Sequence, residues 1–152
     1  MVIRSRRALA LITWVAHTLG TVPRWRRVVG FAFPPPLILV DPDASTAAVQ
    51  DTIAHEQVHV EQWAECALVS LALVGPVVVL GAAPLWVGAL AAYVAWPALY
   101  VALWAVWALR YRSARAAYLL HPCEAEARLT AGDPGYLTRR KPFAWVRFAF
   151  GS

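Results

Sequence analysis

The feature that most constrains this chain is the run from Ala67 to Leu109, which contains no Asp, Glu, Lys, Arg, His, Asn or Gln. A helix that crosses the hydrocarbon core of a bilayer needs about 20 apolar residues, so the run has the length of two such helices. Gly81-Ala82-Ala83-Pro84 is the best break within it, separating Ala67–Leu80 from Leu85–Leu109. The expected element is a transmembrane hairpin, with Pro76 and Pro97 as kinks that membrane helices tolerate. The first limb is short for a span. It crosses only if the helix before it runs into it without interruption. A soluble helical domain with this run as its core is the competing reading, and it requires a chain soluble without detergent.

Charge is segregated around the run. The fourteen Lys and Arg residues lie between Arg4 and Arg27 or between Arg110 and Arg147, whereas six of the nine acids lie between Asp41 and Glu65. The positive-inside rule puts both flanks, and both termini, on the cytoplasmic side of the cell (inner) membrane, with the arginines near anionic lipid headgroups. The apolar share of 60% excludes a disordered chain. A net charge of +5 raises the question of nucleic acid. The cations flank apolar segments and form no nucleic-acid-binding motif, so no such partner is expected. Cys66 and Cys123 make no disulfide framework and would stay reduced on the cytoplasmic side.

Just ahead of the run stands His55-Glu56-Gln57-Val58-His59. On a helix, residues four apart are neighbours on one face, so His55 and His59 can turn their imidazoles to one ion. A catalytic zinc takes three protein ligands and a water. Glu56 lies about 100° round the helix from His55. It can reach that water as general base without being a ligand. The helix is expected from about Ala47, capped by Asp43, Ser45 or Thr46, with Ile53, Val60 and Ala64 on its apolar face. Leu37–Val40 reads as one short strand before it, after the break at Pro34-Pro35-Pro36.

The third ligand must come from another part of the chain. Beyond the run the only acids are Glu124, Glu126 and Asp133. A hairpin returns this stretch to the side where His55 and His59 lie. Glu124 is the preferred ligand and Glu126 its substitute, because residues two apart cannot both face one ion. Cys123 and His121 are minor candidates. Glu61 and Glu65 read as solvated groups or as support for the ligands, and His17 as packed within its own helix.

Three pieces of the chain carry a resemblance: Phe31-Ala32-Phe33, Leu37-Ile38-Leu39-Val40, and Ala54 to Val60 with its HExxH. Together they resemble the core of the integral-membrane gluzincins, which include bacterial heat-shock membrane metalloproteases and the CAAX prenyl endopeptidases. That family implies a strand, an HExxH helix, a transmembrane hairpin and a ligand Glu three residues ahead of an Ala, matched here by Glu124 and Ala127. It also implies peptidase activity, with Leu37–Val40 as the edge strand on which an extended peptide pairs. An edge covered by the N-terminus is the alternative. Where the family has Asp four residues after the ligand Glu, this chain has Arg128. Asp51 is a candidate for the missing support. Arg128, Tyr118 and His121 are candidates for stabilising an oxyanion.

The expectation is an all-α membrane protein, a transmembrane helical hairpin with an HExxH zinc helix and one short strand. It has a single domain: an interfacial N-terminal helix (1–29), strand and zinc helix (37–65), hairpin (66–109), and a cytoplasmic segment with the third ligand and a basic tail (110–152). The function expected is hydrolysis of a peptide or membrane-protein substrate, with one Zn2+ on His55, His59 and Glu124 and with Glu56 as base. A non-proteolytic membrane protein with a structural or regulatory zinc site is the alternative.

Overall fold

A computed structural model describes residues 2–18, 30–33 and 37–150. The Arg24–Arg27 cluster and the triple proline lie outside the described residues, and the side chain of His17 is not among those described. In chain order the elements are β1 (Val2–Arg4), α1 (Arg6–Thr18), β2 (Gly30–Phe33), β3 (Leu37–Val40), α2 (Thr46–Val79), α3 (Leu85–Tyr111), α4 (Ala114–Leu119), α5 (Pro122–Thr130), α6 (Tyr136–Arg139) and α7 (Val146–Phe150).

The chain is mostly helical, but the expectation of a single strand is corrected. β3 is the centre of a three-stranded sheet ordered β1-β3-β2, parallel to β1 and antiparallel to β2. The two partner strands are too short to show a period in sequence. The sheet packs on the start of α2 through Ile38, Val40 and Val49, with Ala44 and Ile53 beside them. β2 comes so close to α2 that a Cβ on Gly30 would lie 2.3 Å from Thr52 Cγ2 and 2.8 Å from the Leu39 carbonyl oxygen. Only glycine allows that approach. α1 rests on the sheet with Leu9 buried, while Leu11 and Trp14 face outward.

α2 begins at a Ser45 cap, whose Oγ accepts from the Ala48 N–H at 3.3 Å. It passes without interruption through the motif into the apolar run and ends at Val79. The expected break follows, with Gly81 at φ 74° in the turn to α3. The described chain thus holds two helices long and apolar enough to cross a membrane. Leu68, Leu73, Leu85, Trp86, Leu90 and Leu109 point outward from them. That arrangement suits lipid rather than water.

The inward face of α2 differs from the expected one. Ile53 and Val60 are half-buried and Ala64 is exposed. The buried positions are Val49, Glu56, Val58, His59, Gln62, Trp63, Glu65 and Cys66. α3 covers part of this stripe with aromatic rings, Trp96 stacking on Trp63 at 5.6 Å. α5 covers the rest with polar groups, beside a small apolar cluster of Val58, Ala127 and Tyr136.

Candidate metal centre

His55 and His59 lie one turn apart on α2 with their Nε2 atoms 3.2 Å from each other. The α3–α4 return carries α5 back against α2, and Pro122 at its first turn fixes where the helix starts. Glu124 then enters between the imidazoles, with Oε1 3.4 Å from His59 Nε2 and Oε2 3.6 Å from His55 Nε2. One ligand atom from each of the three residues falls within 4.8 Å of the others, so the group can hold a metal ion. A four-coordinate ion with bonds of about 2.0–2.2 Å keeps its ligand atoms about 3.3–3.6 Å apart. The nitrogens stand 3.2 Å apart, and each lies 3.4 or 3.6 Å from a different oxygen of the Glu124 carboxylate, close to that spacing. Glu124 Oε2 is also buried with no hydrogen-bond partner among protein groups, as an atom reserved for a cation would be. Burial by itself would raise the Glu124 pKa. The two imidazoles override it and hold the carboxyl well below its usual range.

Glu56 is buried on the same helix as the two histidines. Gln62, three residues past His59, is fully buried, and its Oε1 lies 2.8 Å from His59 Nδ1. The Gln62 amide nitrogen donates to the Cys123 carbonyl at 3.2 Å and to Glu126 Oε2 at 2.9 Å. Its oxygen therefore faces His59, where it accepts the Nδ1 proton. That tautomer leaves the Nε2 lone pair free for a metal. Support of this kind was expected from Asp51, which is exposed at the helix surface.

Glu126 stands outside the His55–His59–Glu124 group, and it is not a solvated charge either. It is fully buried, accepting from the Tyr136 hydroxyl at 2.6 Å and from Arg140 Nε at 2.7 Å. Arg140 also pairs with Glu65, which accepts from the Phe143 N–H at 2.8 Å and Trp145 Nε1 at 3.2 Å. Two buried carboxylates thus share one guanidinium, and the basic tail is tied into the core at Arg140 rather than left loose. Glu61 is exposed, as expected of a solvated charge.

The minor candidates stand apart from the triad. The Cys123 thiol is buried and its pKa is pushed well up by that burial. His121 is fully buried, bonded through Nε2 to the Tyr100 carbonyl at 3.1 Å, and burial lowers its pKa to about 4. It is neutral at physiological pH. Arg128 directs its guanidinium to the carbonyls of Leu119 and Glu124, and Tyr118 is buried.

The expected free substrate edge is corrected in favour of the alternative, since the N-terminal β1 pairs along β3. β3 has a partner on each side and offers no free edge, whereas β1 and β2 are the outer strands of the described sheet.

Two residues beside the triad escaped the sequence reading. Gln62 sits at helical spacing from His59 and could have been found that way. Tyr100, whose hydroxyl donates to Glu124 Oε1 at 3.0 Å, lies inside the apolar run and gave no such signal. Comparison with protein-family models, curated proteins and solved structures finds no match.

Proposed function

We propose that this chain is a membrane-bound zinc metallopeptidase. The observation that carries the reading is the grouping of His55 and His59 on the HExxH helix with the buried Glu124 of α5, with Glu56 one residue past His55. Two imidazoles and one carboxylate, leaving a fourth position for water, form the donor set of catalytic zinc. A zinc held by His55, His59 and Glu124 would lower the pKa of a water and polarise a carbonyl.

Glu56 acts as general base. It takes the proton of the attacking water as the oxygen adds to the peptide carbon. It returns that proton to the amine nitrogen as the C–N bond breaks. The resemblance to the integral-membrane gluzincins supports this assignment. The substrate is a peptide or membrane protein presented beside the bilayer. The uncharged part of α2 begins at Ala67, about 12 Å along the helix from His59 at 1.5 Å per residue. That spacing supports a site just outside the apolar limb, at the membrane surface. The basic flanks support the cytoplasmic side of the cell membrane, with anionic headgroups beside them.

The test is Glu56→Gln in purified, detergent-solubilised protein. The expected outcome is one zinc per chain, as in the wild type, with hydrolysis of a broad peptide library lost. A wild-type chain that binds no stoichiometric metal overturns the proposal at its first step. Metal without cleavage supports the second reading, a structural or regulatory zinc that bolts α5 to α2. The buried Gln62–Glu126–Arg140 network behind His59 favours that alternative.

A further inference from the structure

Tyr100 is the point at which the apolar hairpin meets the metal triad. Its hydroxyl donates to Glu124 Oε1 at 3.0 Å, and its carbonyl oxygen lies 3.1 Å from His121 Nε2. Its ring stacks on His121 at 4.1 Å and tilts against Trp96 at 5.2 Å. Trp96 in turn lies 5.6 Å from the His59 ring. One residue of α3 therefore holds the residue that caps α5 and the carboxylate that α5 delivers.

The hydroxyl also separates the two oxygens of that carboxylate. Both are within reach of a shared ion, since Oε1 is 3.4 Å from His59 Nε2 and Oε2 is 3.6 Å from His55 Nε2. Left alone, Glu124 could chelate through both and fill the fourth position. Only Oε1 carries the tyrosine hydrogen bond, whereas Oε2 is buried without a partner. We infer that Tyr100 is a positioning residue that restricts Glu124 to ligation through Oε2 and so keeps a coordination position open. The inference rests on the proposed metal site.

Its consequence is that a helix of the membrane hairpin sets the geometry of the site. Tyr100→Phe is the direct test, because it removes the hydroxyl but keeps the ring stacking and the backbone carbonyl. Tyr93→Phe, two turns back on α3 and packed edge-on against Trp63 at 5.6 Å, serves as control. Co2+ is the probe, read by competition with a chelator and by its visible d–d absorption. Far-UV circular dichroism confirms that each variant is folded. We expect Tyr100→Phe to lower the molar absorptivity of bound Co2+, the mark of a coordination number above four, without loss of affinity, because the second carboxylate oxygen adds a bond to the ion. Tyr93→Phe should match the wild type in both. A folded Tyr100→Phe protein with the wild-type spectrum overturns the inference while leaving the metal site intact. A wild type that binds no Co2+ overturns the metal site itself.

Discussion

An imidazole offers a metal one nitrogen only if its other nitrogen carries the proton. At His59 that choice is made by Gln62, whose own orientation is set by Glu126 and the Cys123 carbonyl. Replacing Gln62 with Leu keeps roughly the volume and removes the acceptor. We expect the chain's zinc affinity to fall about 10- to 100-fold, measured by chelator competition, with helicity retained. Unchanged affinity would mean that Gln62 only fills space. At this scale the candidate site was partly legible. His55, Glu56 and His59 are read from linear spacing, because a helix turns that spacing into one face. Glu124 was reached through the return of the hairpin. The buried state of Glu126 and Glu65 was not legible, because a carboxylate on a helix surface looks the same in sequence whether water or an arginine faces it.

The elements were easier to read where a single force decides them. The cap at Ser45, the turn at Gly81 and the start of α5 after His121 follow from local chemistry. The polar inward stripe of α2 does not. Among its residues Glu65 is buried against Arg140, from a segment far along the chain, which also pairs Glu126 of α5. Removing one partner of a buried ion pair leaves the others uncompensated and costs about 3–5 kcal/mol. Arg140→Met should therefore lower the thermal midpoint sharply and loosen the segment after α5. Limited proteolysis is the check, with new cleavage after residue 130 expected. A variant as stable and as protease-resistant as the wild type would refute this role for the network.

For the whole molecule, the governing fact is that α2 from Leu68 onward and α3 turn large apolar side chains outward. Water would not support that surface, so the chain should remain with the bilayer after an alkaline wash and should require detergent for extraction. Recovery in the soluble fraction would favour a soluble domain. The continuity of α2 joins this apolar surface to the His55–His59–Glu124 group, so the candidate site and the apolar limb share one helix. The sequence by itself determined the hairpin and the histidine pair, since an uncharged run and an i, i+4 spacing each act through one helix or one solvent boundary. Only the tertiary structure decided which glutamate faces the histidines, which strand lies at the centre of the sheet, and that Gln62 and Tyr100 stand beside that group. Those contacts join segments remote in sequence. Their partners are chosen by packing and hydrogen-bond satisfaction across the fold, which no local pattern encodes.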